Sequence, residues 1–236
     1  MSMTKSTGNM YPWVTHTHTH LAGKCSHGCS YCYVQAMERR YKSGRYAGDL
    51  RLIEKELGVN YGSGKTIFIE HCNDLFAEQT PAGWIGKIIA HCNKSPDNTY
   101  VFQTKNPDRY TPWVKVMPPK RLLGCTIETD DWQLIKTFAP NAPEPLNRAY
   151  VMRKLRNRGE STFVTVEPII DCDPDVLARW ITHIKPEFVN IGADSKGGNL
   201  PEPSAAKVQT LIKLITDAGI EIREKRNLDR LMKGGE

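Results

Sequence analysis

Apolar residues along this chain fall into short dense runs, separated by longer stretches where they recur every three or four positions. The dense runs read as strands over residues 13–20, 66–70, 100–104, 122–127, 162–166 and 188–191, with a weaker seventh over 220–223. Thr66-Ile67-Phe68-Ile69 and Phe163-Val164-Thr165-Val166 are apolar or β-branched at every position, which suits strands covered by helices on both faces. The periodic stretches read as helices over 33–41, 49–57, 82–92, 146–158, 174–184 and 205–218. Asp173-Pro174 and Pro203-Ser204 have the form of helix starts, and Gly219 that of a helix stop. Strands and helices in alternation predict parallel βαβ units. Six or seven such units in about 220 residues predict an α/β fold, a partial (β/α)6-type barrel rather than a closed eightfold one. The Pro-rich stretch 139–145 and the loop 194–203 are too short to be linkers, so one domain over residues 1–236 is expected.

Composition narrows the classes. Hydrophobic residues make up 39% and charged residues 25%, enough apolar content for a core. A mean hydropathy of −0.48 and the lack of any 18-residue apolar run argue against a membrane-spanning helix. The first eight residues hold no apolar h-region, so no secretory signal is expected and the chain is expected in the cytoplasm. In that reducing setting seven cysteines read as metal ligands and buried apolar residues rather than disulfides. The net charge of +6, from 32 Lys plus Arg against 26 Asp plus Glu, leans towards a polyanionic partner.

The most informative stretch is Gly23-Lys24-Cys25-Ser26-His27-Gly28-Cys29-Ser30-Tyr31-Cys32-Tyr33, a loop between the first strand and the first helix. Three thiols at C-x3-C-x2-C spacing on a Gly- and Ser-containing loop can turn inward around one soft metal centre. Structural zinc requires four closed ligands, with His27 the nearest candidate for the fourth. A [4Fe–4S] cluster held by three cysteines leaves one iron open to an exogenous ligand.

This spacing, with Tyr31 just before the last cysteine, resembles the signature of the radical S-adenosylmethionine (SAM) superfamily. The resemblance implies the radical SAM fold, a partial barrel with the cluster after its first strand. It implies that Cys25, Cys29 and Cys32 hold three irons while the amino and carboxylate groups of SAM chelate the fourth. One electron, from a donor such as flavodoxin or ferredoxin, then splits the sulfonium. The products are methionine and a 5′-deoxyadenosyl radical that abstracts a substrate hydrogen. Further stretches are similar to a phage-associated radical SAM family, itself distantly similar to spore photoproduct lyase: Ile67-Phe68-Ile69, Asn73-Asp74-Leu75-Phe76, residues 103–109, Glu167-Pro168-Ile169-Ile170 and residues 191–195. The chain departs from that family in Thr15-His16-Thr17-His18-Thr19-His20, where a Trp-Asn-Pro type entry is usual, and in Ala193-Asp194, where Gly-Glu is usual.

In barrels of this type the chemistry gathers at the C-terminal ends of strands. Those ends carry His71, Asn73, Asp74, Thr104, Lys105, Thr126, Glu128, Glu167, Asn190 and Asp194. The resemblance places Asn73 and Asp74 at the SAM amine. Glu128 suits a ribose hydroxyl, and Lys105 suits the carboxylate or a substrate phosphate. Tyr31, Glu167 and Asn190 complete the candidate cofactor-binding set. His16, His18 and His20 alternate with threonines, so a strand would turn all three imidazoles to one side, towards a pocket, a second metal or plain polar packing. His71-Cys72 and His91-Cys92 would point to opposite faces of a strand, and Cys72, Cys92, Cys125 and Cys172 read as small buried hydrophobes. Basic residues cluster at Arg39, Arg40, Lys42 and Arg45, on the helix with Arg148, Arg153, Lys154, Arg156 and Arg158, and in a C-terminal segment of about 220–236. Tyr41, Tyr46 and Tyr150 lie near them and are candidates for stacking on bases.

The leading expectation is thus a radical SAM enzyme acting on a nucleic-acid base or nucleotide, of the kind used in phage DNA thymine-type modification. A radical SAM enzyme acting on a small metabolite is a second reading. A zinc-stabilised nucleic-acid-binding protein is a reading of another class.

Overall fold

The structure is a computed structural model and describes residues 3–8, 10–195 and 199–233. Residues 196–198 of the 194–203 loop and 234–236 of the C-terminal basic segment therefore fall outside the described residues. The chain divides into two compact units, Met1–Ser26 with Val34–Leu123, and His27–Tyr33 with Gly124–Glu236.

The first unit runs through β1 (Thr4–Lys5), β2 (His16–His18), β3 (Leu21–Ala22), α1 (Tyr33–Tyr41), β4 (Arg51–Leu52), β5 (Thr66–Ile69), α2 (Ala82–Asn93) and β6 (Thr99–Thr104). β5 pairs in parallel with β2 on one side and with β6 on the other, setting Ile67 opposite both His16 and Tyr100. β1 closes on β2 antiparallel, and β3 and β4 form a separate antiparallel pair. α2 buries Ile85, Ile88, Ile89 and Cys92, an i, i+3, i+4, i+7 stripe. Each large aliphatic side chain so buried is worth roughly 1.5–3 kcal/mol.

β7 (Arg121–Thr126) has residues in both units. The second unit continues with α3 (Trp132–Phe138), α4 (Pro145–Asn157), β8 (Thr162–Val166), α5 (Pro174–Ile184), β9 (Phe188–Ile191), α6 (Ala205–Asp217), β10 (Glu221–Glu224) and α7 (Asp229–Lys233). β9 is flanked in parallel by β8 and β10, and α5 and α6 make the two crossovers. β8 is buried at all five positions, as its unbroken apolar and β-branched run predicts. Asp173 caps α5 by accepting from the amides of Asp175 and Val176, with Pro174 fitting the first turn. Ser204 caps α6. Gly219, with φ near +78°, closes it by donating its amide to the Thr216 carbonyl.

The structure corrects several expected elements. Residues 49–57 form no α-helix: β4 is followed by a 3-10 turn over Glu54–Gly58. The Arg51 guanidinium donates to the carbonyls of Gly44, Arg45, Ala47 and Asp49, drawing this stretch into a turn, and Ile53 donates its amide to His20. The first long strand breaks into β2 and β3. β5 stops at Ile69, because Glu70 takes a left-handed backbone with φ near +61°. α3 was not foreseen.

Candidate functional site

The cysteine loop leaves β3 through Gly23, whose φ is near +84° and whose Cα lies so close to the Asp49 carbonyl that a Cβ would sit 2.0 Å from its oxygen. Only glycine fits there. The Gly23 carbonyl accepts from the Asn73 side-chain amide (3.1 Å), so the turn after β5 ties down the start of the loop. Cys25, Cys29 and Cys32 are half-buried thiols, and no cysteine of the chain is in a disulfide. In the second unit, the Cys29–Cys32 segment is a tight turn in which the Cys32 amide donates to the Cys29 carbonyl (3.2 Å). That turn rests on α3 and the Pro-rich segment after it: Ser30 donates its amide to the Phe138 carbonyl, and Asn141 donates its own to His27. Ala139 and Ala142 pack on the Tyr31 ring. The Pro-rich stretch, which the sequence offered only as a break, is thus a shelf for the loop. His27, the proposed fourth zinc ligand, is buried, with Nδ1 3.5 Å from the Asn141 carbonyl oxygen.

Among the described residues, no group of three or more His, Cys, Asp or Glu side chains surrounds a single ion-sized point. A [4Fe–4S] cluster asks for separate thiolates, each on its own iron. Three half-buried thiols on one loop fit that donor set.

The strand-end candidates occupy the expected places but face other protein groups. Asp74 is buried: Oδ2 accepts from the Thr104 hydroxyl and the Lys105 amide (both 2.9 Å), and Oδ1 from the Phe76 amide (2.9 Å). It therefore fastens the turn after β5 to the end of β6. Lys105 is half-buried, held through its backbone. Glu128 is fully buried: Oε1 accepts from the Tyr31 hydroxyl at 2.6 Å, and Oε2 pairs with Arg148 Nη1 at 2.7 Å. The structure thus corrects the expectation of a ribose contact at Glu128, because this carboxylate is turned into the protein. Burial, and after it the Glu128 charge, push the Tyr31 phenol well above its ordinary pKa. Glu167 accepts from Lys225 Nζ (2.7 Å), a member of the C-terminal basic group, and from Asn227 Nδ2 (3.0 Å), which nothing in the sequence marked out. Asn190 is buried and donates to the Thr165 hydroxyl (3.4 Å).

The histidines divide. His16 lies at the end of β2 with Nδ1 2.9 Å from the Thr15 hydroxyl, outside the group that the other two join. The His18 and His20 rings lie with centroids 4.5 Å apart and planes tilted by 34°. In the same unit Glu70 Oε1 meets His20 Nδ1 (2.7 Å), His20 Nε2 meets His91 Nδ1 (2.8 Å), and His91 Nε2 meets the Val59 carbonyl (2.8 Å). A carbonyl only accepts, and each of the other two contacts needs one hydrogen between its heavy atoms. Burial lowers the His91 pKa, against the opposing effect of its contact with the Val59 carbonyl. His71 and Cys72 lie in a turn rather than on a strand, and their side chains meet at 3.1 Å. The opposite-face expectation therefore fails there. Cys72, Cys92, Cys125 and Cys172 are buried as expected. Burial raises the Cys172 thiol to about 12.

His18 Nε2 lies 3.5 Å from Glu56 Oε2, too far for a good hydrogen bond, and the pair is not an ion pair. Burial first, then His20, His91 and Arg45, lower the His18 pKa to about 3. Unfolding lets His18 regain its ordinary value of 6.5, so the unfolded chain binds one more proton between about pH 3 and 6.5. The stability this neutral ring contributes is present above pH 6.5 and is lost as the pH falls through that window. The slope is about 1.4 kcal/mol per pH unit for one proton. Denaturant titrations from pH 7 to 4 should show the His18→Phe variant with a shallower acid-side loss than the parent. Equal slopes would mean that His18 titrates normally.

Residues 9–172 match the family described as protein of unknown function (DUF5131), more than half of the chain. The chain belongs to that family. No curated protein matches this family member in sequence. Among solved structures it is similar to spore photoproduct lyase complexed with dinucleoside spore photoproduct, with a TM-score of 0.63 at 13% identity, covering 92% of this chain and 78% of the lyase. A double mutant of that lyase with bound AdoMet and dinucleoside spore photoproduct matches with a TM-score of 0.56 at 13% identity, over 89% of this chain and 63% of that one. SuiB of Streptococcus suis bound to S-adenosylmethionine matches with a TM-score of 0.57 at 10% identity, over 88% of this chain; the family member spans about half of SuiB, 49%. At these identities the likeness is one of fold, the α/β, mostly parallel fold that the strand–helix alternation predicted and that the resemblance at the cysteine loop implied.

Proposed function

We propose that this protein is a radical SAM enzyme whose [4Fe–4S] cluster is held by Cys25, Cys29 and Cys32. The observation that carries the reading is the C-x3-C-x2-C loop, set between the first parallel strand and the first helix of a fold shared with proteins solved with SAM bound. The cluster supplies one electron to the sulfonium of SAM and an open iron for its amino and carboxylate groups. The chain's own part is to present the thiolates. Gly23 allows the sharp exit from β3, Asn73 fixes that exit, and the α3 end with the Pro-rich segment supports the Cys29–Cys32 turn. Asp74 and Glu128 act behind the site, as fasteners of the strand ends. Lys105 and Asn73, half-buried, are the better candidates to meet SAM.

We assign a nucleic-acid base or nucleotide as the substrate. The net charge of +6 supports this, as do the exposed aromatics with cations over their rings: Arg40 on Tyr41 at 5.3 Å and Lys154 on Tyr150 at 4.3 Å. The lyase solved with a dinucleoside photoproduct points the same way. Several basic residues are already engaged: Arg148 is buried, and Arg156, Arg223, Lys225 and Arg230 pair with carboxylates. Exposed Arg39, Arg40, Lys42, Arg153, Lys154 and Arg158 remain as phosphate contacts.

The test is anaerobic reconstitution with iron and sulfide, then SAM and a one-electron reductant, with 5′-deoxyadenosine quantified with and without DNA. The reading expects 5′-deoxyadenosine from the reconstituted protein, and DNA raising it above the uncoupled background. Binding to DNA should also weaken with salt by about 0.7–0.9 log units per log unit for each phosphate contacted. Stimulation by a small metabolite and not by DNA would move the substrate to that class. A colourless zinc protein that makes no 5′-deoxyadenosine would end the radical reading.

A further inference from the structure

Three polar side chains form a fully buried row in the second unit. Tyr31, between Cys29 and Cys32 in the chain, donates its hydroxyl to Glu128 at 2.6 Å. Glu128, with no exposed side-chain surface, pairs through its second oxygen with Arg148 at 2.7 Å, and Arg148 is equally buried. Arg148 is anchored in turn, donating to the Thr126 carbonyl at the end of β7 (3.0 Å) and to the Pro143 carbonyl before α4 (2.6 Å). The Tyr31 ring sits in an apolar group with Ile135, Ala139, Ala142 and Ile170, and Cys29 packs against the same group.

Such a row is not explained by stability. A buried Arg–Glu pair loses about as much in desolvation as it gains in attraction, and apolar residues of equal volume usually serve the core as well or better. What the pair supplies is direction: one rotamer of one tyrosine, fixed to the frame of β7 and α4. That tyrosine lies between Cys29 and Cys32.

We propose that Glu128 and Arg148 are positioning residues for the cluster loop, holding Tyr31 and through it the Cys29–Cys32 turn in the geometry that binds iron. The inference rests on the cluster reading above and adds to it two residues far from the cysteines in sequence. It has an electrostatic consequence. The pair is neutral as a whole, so removing the carboxylate charge leaves the Arg148 cation uncompensated behind Tyr31, the residue next to Cys32, which favours the reduced cluster.

Tyr31→Phe and Glu128→Gln separate the two roles. The first keeps the ring and the ion pair and removes only the hydroxyl; the second keeps shape and removes charge. Anaerobically reconstituted parent and variants are compared by iron per chain, by the half-time of cluster loss to an Fe(II) chelator, and by midpoint potential from an EPR-monitored redox titration. Tyr31→Phe should assemble a full cluster and lose it about tenfold faster, the effect of one buried hydrogen bond. Glu128→Gln should shift the midpoint potential upward, a change that loosened packing alone does not produce. If both variants keep the parent's half-time and potential, the positioning role is wrong while the cluster reading stands. Parent-like cluster loss in Tyr31→Phe also overturns it, whatever the potential of Glu128→Gln, leaving Tyr31 a packing residue. A parent protein that assembles no four-iron cluster overturns both.

Discussion

Cys29→Ala is expected to yield a protein without a [4Fe–4S] spectrum and without SAM cleavage, and Cys25→Ala and Cys32→Ala should do the same. The loop offers three thiolates and no spare donor of the same softness. Ser26 and Ser30 carry hydroxyls, and His27 is buried against the Pro-rich segment. With two thiolates left, a cube of four irons has two open corners, and the cluster degrades in the presence of chelator or oxygen. Loss of the cluster removes the electron relay, so 5′-deoxyadenosine formation should fall to background. The fold should persist, because Cys29 is only half-buried at the edge of the apolar group around Tyr31, and circular dichroism of the apoprotein checks this. A Cys29→Ala protein with a full four-iron absorption band and parent-like cleavage would contradict the assignment.

Glu70→Gln is expected to cause the largest loss of stability of any isosteric substitution in the first unit. The carboxylate takes three hydrogens: Oε1 from the His20 amide (2.7 Å) and His20 Nδ1 (2.7 Å), and Oε2 from the Leu21 amide (3.1 Å). An amide places its NH2 against one of these donors, so one contact becomes donor against donor. It also weakens the acceptor that the His20 and Leu21 amides face. Leaving a buried donor unsatisfied costs about 1–3 kcal/mol, more where the acceptor was charged. Denaturant unfolding at pH 7.5 measures it, and a loss under about 1 kcal/mol would mean that all three donors keep a partner in the variant. Because His20 lies five residues before Cys25, the variant should also assemble its cluster poorly even below its unfolding midpoint.

What was legible in the sequence was what is local. β8 and β5 were readable because a strand buried on both faces leaves an unbroken β-branched run, and α5 because Asp173-Pro174 caps it and its apolar residues fall on one face. The cysteine loop was readable because its donors lie within eight residues. The unreadable parts depend on distant partners. Glu128 looks from sequence like a strand-end ligand; only the fold brings it to Tyr31, 97 positions away, and to Arg148, 20 positions away. Arg148 itself looked like one of a basic surface set, yet it is the buried member of α4, while Arg153, Lys154 and Arg158 of the same helix region face solvent. The His20–His91 contact spans 71 positions and depends on α2 being a helix, which turns His91 inward beside Ile88 and Cys92. Residues 49–57 failed as a helix because the backbone carbonyls around them are claimed by the Arg51 side chain and the Gly23 turn.

The central claim is that the 25–32 loop holds a cluster with one iron left for SAM. EPR of the reduced, reconstituted protein before and after addition of SAM tests it most directly. The account predicts a reduced [4Fe–4S] signal whose g-values change when SAM is added, because the amino and carboxylate groups of SAM bind the iron that no cysteine holds. A cluster signal indifferent to SAM, or a protein that binds zinc and gives no signal at all, would contradict it.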